Sequence, residues 1–161
     1  MNDIYVSYEN EEESKVFPEE QVKKYLTSIL EELKMDKNEI SCSFVTDETI
    51  AKMNLDYRGI EGPTDILSFV QNDFNEDSES IEFVKVVEKA EKMVLGDLII
   101  SIDSLKRNCD YFNIKNEEEL FRLLIHGVLH LIGEDHKTNE LDEPMLIRQE
   151  RLINHFKGRM F

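Results

Sequence analysis

Hydrophobic positions recur along the chain with two different periods, which predict strands and helices in alternation. Apolar and polar residues alternate in IYVSYE, as is typical of a half-buried strand, whereas residues 18–35 repeat apolar residues at helical spacing. The β-branched run VLGDLIISID predicts a strand buried on both faces. The predicted strands cover residues 4–9, 40–46, 64–70 and 94–103, and the predicted helices cover residues 18–35, 48–58, 104–112, 116–131 and 141–156.

Two helix starts are predicted from side chains that can accept backbone hydrogen bonds. Asp47 is the predicted N-cap of the helix over residues 48–58, and Asn116 with Glu119 indicates the start of the next long helix. That later helix is apolar on most sides, so it should lie at the centre of the fold. Residues 71–92 form a long acidic connection, for which we expect a surface excursion with a helical turn in its second half.

Length, charge and cysteine content narrow the class of protein. The 161 residues fit one domain, 1–161, and carry a formal net charge of −16. The apolar runs are too short for a membrane helix and the start lacks a secretion signal, so we expect a cytoplasmic protein in which Cys42 and Cys109 are buried free thiols. The charge argues against a protein that coats nucleic acid non-specifically, although it leaves room for a local basic groove.

The stretch HGVLHLIGEDH, residues 126–136, contains three of the four histidines. On a helix, His126 and His130 lie about 40° apart around the axis, so both side chains can bind one ion. Continued helix would turn His136 to another face, but Gly133 can end the helix in a left-handed conformation and return His136 to the other two. Three imidazoles with one open position are typical of a catalytic zinc site. The fourth histidine, His155, is predicted to be a hydrogen-bonded core residue.

Gly127 separates this stretch from the zinc proteases with a similar spacing. Their motif H-E-x-x-H-x-x-G-x-x-H has a glutamate as general base where this chain has glycine, so peptidase chemistry of that kind is not expected. Three neutral ligands still leave the ion able to ionise a bound water. Glu134 and Asp135 can either orient that water or, in the case of Asp135, hold the tautomer of a histidine; both roles stay open.

Several segments together resemble the YbeY-type endoribonucleases, which are bacterial ribosomal RNA maturation factors. HGVLHLIGEDH is similar to the family pattern H-G-x-L-H-L-x-G-x-D-H, including its glycine. NLDYRGIEGPTDILSF (54–69) is similar to N-x-x-x-R-x-x-x-x-P-T-D-V-L-S-F, and LGDLIIS (95–101) is similar to G-D-I-x-I-S. Met145 stands where the family often has methionine. The chain departs from the family at Val70, where proline is usual, and in its longer acidic insert.

The resemblance implies a fold, an activity and a set of site residues. It implies an α+β fold with a small, mixed and mostly parallel sheet packed with helices, and a metal site on a central helix and the following loop. It implies one zinc ion on His126, His130 and His136, and cleavage of single-stranded ribosomal RNA rather than DNA. The expected roles are 3′-end processing of the small-subunit RNA and ribosome quality control, with the ribosome or a small-subunit ribosomal protein as partner. Arg58 matches the family's functional arginine, whose guanidinium can hold a phosphate.

Two other functions remain as alternatives. A zinc hydrolase of a small amide or ester would be active without RNA. A non-catalytic ribosome-assembly protein would use its zinc only to join the helix to the following loop, and would unfold when the metal is removed. The residues leave open the cleavage position, the oligomeric state, and whether water or the RNA 2′-hydroxyl is the nucleophile.

Overall fold

A computed structural model of the chain describes residues 1–71 and 92–161. Within these residues, four strands and six helices follow one another along the chain. The acidic connection of residues 71–92, with the helical turn expected in its second half, lies outside the described residues except for its two end residues. The elements are β1 (Asp3–Tyr8), α1 (Glu13–Val16), α2 (Glu19–Glu32), β2 (Asn38–Val45), α3 (Asp47–Arg58), β3 (Ile66–Val70), β4 (Met93–Ser101), α4 (Ile102–Phe112), α5 (Asn116–Leu131) and α6 (Pro144–Phe156).

The four strands form one mixed sheet in the order β1-β2-β4-β3. β1 pairs in parallel with β2, and β2 pairs in parallel with β4, whereas β3 runs antiparallel to β4 at the edge. Helices connect the parallel strands, as such crossovers require. The predicted α+β fold with a small, mostly parallel sheet is therefore confirmed.

Helix α5 lies at the centre of the described structure, as its apolar sequence predicts. It packs against β3 and β4 of the sheet and against α2, α4 and α6. Its side chains Leu124 and Val128 are fully buried, as are Leu98 and Ile100 on β4. No helix among the described residues is both long and apolar enough to cross a membrane. Because α5 is held on several sides, side chains on its remaining face have a fixed position.

The prediction that Asp47 caps α3 is wrong. The cap is Thr46, whose hydroxyl accepts a hydrogen bond from the backbone N–H of Thr49 at 3.3 Å. The Asp47 carboxylate instead accepts hydrogen bonds at 2.7 Å from the hydroxyls of Ser101 and Ser104 and at 2.6 Å from Arg107. The hydrogen bond from Arg107 lowers the pKa of Asp47 to about 2. Asp47 therefore joins α3 to α4 rather than ending its own helix.

Other details of the elements also differ from the prediction. The fourth strand ends at Ser101 rather than residue 103, because the Ser101 hydroxyl accepts from the backbone N–H of Ser104 and begins α4. The acidic loop after β1 contains the short helix α1. Helix α5 begins at Asn116, as predicted, but no side chain caps it; Glu119 is buried beside Arg122, and burial raises the pKa of Glu119 to about 7.

The two cysteines are buried as predicted, whereas the fourth histidine is not. Cys42 and Cys109 are buried free thiols, as predicted. The prediction that His155 is a core residue is wrong, since its side chain is 45% exposed at the surface, with Nε2 at 3.3 Å from a carboxylate oxygen of Glu32. Arg159 also lies within hydrogen-bonding distance of His155.

Candidate active site

His126 and His130 lie one turn apart on the same face of α5. Their Nε2 atoms are 3.1 Å apart, and the ring centroids are separated by 4.6 Å. Helix α5 is fixed in the core, so the two rings have little freedom to separate. Both Nε2 atoms point into one cleft, as the spacing of four residues predicts.

Gly133 returns the third histidine to this point. The helix ends at Leu131, and Gly133 has φ +99°, in the region that favours glycine. The backbone N–H of the following residue, Glu134, donates to the carbonyl of Leu129 at 3.0 Å and closes the turn. The ring centroid of His136 then lies 5.2 Å from that of His126 and 5.4 Å from that of His130.

Each histidine ring is held through its other nitrogen, Nδ1. The Nδ1 of His126 lies 2.7 Å from the side-chain oxygen of Gln149. The Nδ1 atoms of His130 and His136 lie 3.1 and 2.9 Å from the backbone carbonyls of Glu134 and Thr138. A carbonyl oxygen only accepts, so each Nδ1 carries the hydrogen and each Nε2 keeps its lone pair.

The three rings fit a divalent ion. Each offers one nitrogen, and these atoms all lie within 4.8 Å of one another. Tetrahedral zinc with nitrogen ligands at about 2.0–2.1 Å places those ligands roughly 3.3 Å apart, so small ring movements are sufficient. Burial lowers the pKa of His126 and of His130, which favours the neutral imidazole that a metal needs. His126, His130 and His136 could therefore hold one metal ion and leave a position open.

The two acidic residues after Gly133 have different partners. The Glu134 carboxylate forms an ion pair with Arg148. An Asp135 carboxylate oxygen accepts from the backbone N–H of His136 at 2.8 Å and lies 3.9 Å from Nδ1 of His130. The backbone carbonyl of Glu134, at 3.1 Å, therefore holds the tautomer of His130, and Asp135 is too distant to do so.

Gly127 packs closely against side chains of the sheet. A Cβ atom at this position would lie 2.6 Å from a methyl carbon of Leu98 and 2.9 Å from a methyl carbon of Ile66. The glycine faces β3 and β4, whereas the histidines on either side of it face the cleft. A glutamate at this position would have to displace the Leu98 and Ile66 side chains and would point its carboxylate toward the sheet rather than into the cleft, so it could not serve as the protease base.

The cleft that contains the histidines has a volume of about 940 Å³. Arg58, the last residue of α3, also lines this cleft, and its side chain is exposed. Within the described residues it forms no hydrogen bond or ion pair, so its guanidinium is free to bind a ligand. The structure thus places all four residues singled out in the sequence in one cleft: Arg58, His126, His130 and His136.

Gln149 is a site residue that the sequence analysis missed. It is buried on α6, with only 7% of its surface exposed, and it contacts His126. A signal was present, because the buried positions of α6 follow helical spacing from Met145 to Ile153 with this one polar residue between them. A polar side chain on an apolar face needs a partner inside the protein.

Comparisons with known proteins identify the family of this chain. The model of the family described as endoribonuclease YbeY matches residues 7–157. The endoribonuclease YbeY of Treponema denticola is 37% identical over 159 residues, which covers 98% of this chain and 95% of that protein. The protein of the same name from Bacillus velezensis is 39% identical over 121 residues, 75% of this chain and 74% of its own length.

One solved structure shares the fold. The solution structure of TM1509 from Thermotoga maritima has a TM-score of 0.58 and 22% identity, and the match covers 94% of this chain and 87% of that chain. At this identity the likeness concerns the fold alone. The family match over residues 7–157 and the relatives at 37–39% identity carry the assignment. The chain belongs to the endoribonuclease YbeY family.

Proposed function

We propose that this chain is a zinc-dependent endoribonuclease that cleaves single-stranded ribosomal RNA in the cytoplasm, in 3′-end processing of the small-subunit RNA and in ribosome quality control. The observation that carries this proposal is one cleft with three converging imidazoles and a free guanidinium. The relatives are named as endoribonucleases, which supports RNA as the substrate. Elements from the first strand to the last helix share one hydrophobic core, which supports one domain over residues 1–161.

The proposed metal ligands are the Nε2 atoms of His126, His130 and His136. A zinc ion on three neutral ligands supplies a Lewis acid and lowers the pKa of a bound water. The protein's contribution is to hold each ring by its Nδ1 hydrogen bond, so that the three lone pairs meet. Gly127 offers no side chain as a general base, so any base must come from elsewhere in the cleft or from the RNA.

Arg58 is proposed to bind the scissile phosphate. A guanidinium can donate two parallel hydrogen bonds to phosphate oxygens and can stabilise the charge that develops as the bond breaks. Arg58 is suited to this role because it lines the same cleft as the histidines and has no partner within the described residues. This arrangement favours a nuclease over a hydrolase of small amides or esters, which has no phosphate to bind.

The acidic surface suggests how substrate is supplied. A chain of net charge −16 gains little from the release of counterions around RNA. We infer that the ribosome, or a protein of its small subunit, brings the RNA to the cleft. The enzyme would then depend on its partner for much of its affinity and on the cleft for cleavage.

The test is cleavage of a single-stranded RNA by protein of known zinc content. The parent should contain about one zinc ion per chain, because one three-histidine site is described. His130→Ala should lose the ion and the activity together. His155→Ala is the matched control, because this histidine lies on the surface away from the cleft, and it should retain both.

Three results would contradict the proposal in different ways. Full zinc content in His130→Ala would remove the metal assignment. Zinc-dependent hydrolysis of a small ester with no cleavage of RNA would favour the small-molecule hydrolase. Unfolding on removal of zinc, with no cleavage by any preparation, would favour the ribosome-assembly protein.

A further inference from the structure

We propose that Tyr57 and Phe69 form a stacking surface for a nucleobase of the RNA, an inference that rests on the proposed nuclease function. Both side chains line the cleft that contains Arg58 and the histidines. Their ring centroids are 5.2 Å apart, with an angle of 71° between the ring planes. Tyr57 is 70% exposed, which is high for an aromatic residue. Its ring therefore has surface available to a ligand.

The two rings are held by regular secondary structure. Tyr57 lies on the last turn of α3, directly before Arg58. Phe69 lies on β3, where it is paired with Asp97 of the neighbouring strand β4. The edge-to-face contact with Phe69 supports the Tyr57 ring from one side. A base stacked on Tyr57 would thus be placed next to the guanidinium proposed to hold the phosphate.

The charge of the cleft explains why stacking is needed. Among its described lining residues, Asp65, Glu134 and Asp135 carry carboxylates, whereas Arg58 is the one arginine or lysine. Contacts with phosphates alone would therefore bind RNA weakly. Stacking on an aromatic ring does not depend on net charge and is available to unpaired bases, which agrees with a single-stranded substrate.

The experiment measures stacking directly. Zinc-loaded full-length protein is mixed rapidly with a short single-stranded RNA that contains 2-aminopurine, and fluorescence is read before cleavage proceeds. The parent should quench the base, and Tyr57→Ala should raise the Kd by roughly tenfold or more, the scale of losing one stacked base. Tyr57→Phe keeps the ring and should bind like the parent.

A second exposed aromatic pair provides the matched control. Tyr111 is 83% exposed and contacts Phe112 with ring centroids 4.9 Å apart, but neither residue lines the cleft. Tyr111→Ala should leave the Kd unchanged. Equal binding by Tyr57→Ala and the parent, or equal losses in Tyr57→Ala and Tyr111→Ala, would overturn the stacking proposal while cleavage by the parent still supports the nuclease. A parent that neither binds nor cleaves the RNA would overturn both.

A separate observation on α6 leads to a second inference: the geometry points to Gln149 as a positioning residue for His126. Arg122 donates to both carboxylate oxygens of Glu150, at 3.0 and 3.4 Å. The Gln149 side-chain nitrogen donates to Glu150 at 3.3 Å, and its oxygen lies 2.7 Å from Nδ1 of His126. The series of hydrogen bonds through Arg122, Glu150 and Gln149 thus ends at His126, a proposed metal ligand.

These hydrogen bonds fix the orientation of the Gln149 amide. The Glu150 carboxylate accepts hydrogen bonds from Arg122, so Gln149 must present its NH₂ group to Glu150 and its oxygen to His126. The histidine then carries its hydrogen on Nδ1 and keeps the Nε2 lone pair for a metal, so this inference rests on the proposed metal site. Gln149 acts through the ring and does not itself reach the ion.

Two measurements test this role. Gln149→Leu should weaken zinc binding by roughly tenfold to a hundredfold in competition with a chelator, the range for loss of such a supporting contact. Nitrogen NMR should show the hydrogen of His126 on Nδ1 in the metal-free parent and a mixture of tautomers in Gln149→Leu. Glu150→Gln should also mix the tautomers, since the Gln149 amide can then turn over. This second variant lies at a partly exposed position, so it serves where Gln149→Leu does not fold.

Gln21→Leu is the control for loss of a glutamine hydrogen bond. Gln21 donates to the hydroxyl of Tyr25 on α2, and neither residue lines the cleft. It should leave zinc affinity and the His126 tautomer unchanged. An unchanged tautomer in both Gln149→Leu and Glu150→Gln would overturn the positioning role. A parent that binds no zinc would instead remove the metal proposal, while the tautomer would still report on Gln149.

Discussion

The histidine side of the cleft (His126, His130 and His136) and its arginine side (Tyr57 and Arg58) are built in opposite ways. Each histidine ring is held at Nδ1 by an oxygen of the protein, and two of the rings project from the central helix α5. Tyr57 and Arg58 end a helix, are exposed, and are followed by Gly59 in a left-handed conformation. The histidine side is fixed by the fold before any ligand arrives. On the arginine side, the Tyr57 ring contacts Phe69, whereas the Arg58 guanidinium has no partner within the described residues and is ordered only by a ligand.

This difference suggests a division of work between the two sides. A metal site gains affinity when its ligands are already in position, because little freedom is lost on binding. A phosphate-binding arginine can instead follow the substrate and release the product afterwards. Changes on the histidine side should therefore alter folding and metal affinity, and changes on the arginine side should alter cleavage with the fold intact.

The largest expected effect is on folding, from Gly127→Glu. The new side chain would enter the packed contact of α5 with Leu98 and Ile66 and would bury a carboxylate. Overpacking and an unpaired buried charge together should lower the free energy of unfolding by at least about 3 kcal/mol. Denaturant unfolding measures this change.

Gly127→Ala is the matched control, since it adds the same Cβ atom without the charge. Its contacts are with methyl groups at the ends of side chains, and alanine gains about 1 kcal/mol of helix propensity over glycine. It should therefore cost less than Gly127→Glu by at least about 2 kcal/mol. Unfolding curves of the glutamate variant and the parent that coincide would contradict this account of the missing base.

The next effect is on cleavage, from Arg58→Ala. Loss of one donor that stabilises developing charge should lower the rate by roughly a hundredfold or more. Zinc content and melting temperature should stay nearly unchanged, because Arg58 has no partner within the described residues to lose. The measurement is cleavage of single-stranded RNA at matched zinc occupancy.

Arg58→Lys distinguishes geometry from charge. Lysine keeps the charge but lacks the planar pair of donors, so the variant should remain well below the parent. Parent-like rates in Arg58→Lys would indicate a long-range electrostatic role, and parent-like rates in Arg58→Ala would remove the residue from the site.

Acid should weaken metal binding on the histidine side. Burial lowers the pKa of His126 and of His130, so both stay neutral somewhat below the ordinary value of about 6.5. For these two ligands, zinc affinity should hold from about pH 8 to somewhat below 6.5, and at pH values below their lowered pKa it should fall about tenfold per pH unit for each proton that the metal displaces. His155→Ala should show the same profile, and a flat affinity down to about pH 5 would argue against imidazole ligands.

The smallest effect is expected from Gly133→Ala. An alanine Cβ would meet no atom within 4 Å, so the cost is backbone strain at φ +99°, about 1–2 kcal/mol. Relaxing that strain would move His136, so zinc affinity should fall as well. Gly158→Ala is the control, because Gly158 has φ +85°, equally open space and a position near the C-terminus. Gly158→Ala should lose a similar amount of stability and keep its zinc affinity. Equal losses of zinc affinity in Gly133→Ala and Gly158→Ala would show that backbone strain, rather than the position of His136, is responsible.

The sequence predicted what depends on local spacing. Periodicity located the four strands and every described helix except the short α1, and the spacing from His126 through Gly133 to His136 predicted one shared site. The cap of α3 was predicted wrongly because Asp47 is occupied by partners more than fifty residues away in sequence. Gln149 was missed for the same reason: its partner His126 lies on another helix. Such roles depend on contacts between distant segments, and a single sequence indicates those contacts only weakly.

Arg58 shows a different limit. Nothing in its local sequence separates it from an ordinary cation at a helix end, and the resemblance to a known family singled it out. The structure adds that its helix ends at the cleft. A functional side chain that makes few contacts within its own protein is difficult to predict, because its partner is the substrate.

The turn at Gly133 places two of the proposed metal ligands close together in sequence. A metal held by His130 and His136 closes a loop of only a few residues, and closing so short a loop removes little conformational entropy from the unfolded chain. Zinc binding should therefore stabilise the segment between α5 and α6 locally rather than drive folding of the whole protein. Backbone amides between α5 and α6 should exchange with solvent more slowly after zinc is added, while those of the sheet should exchange as before.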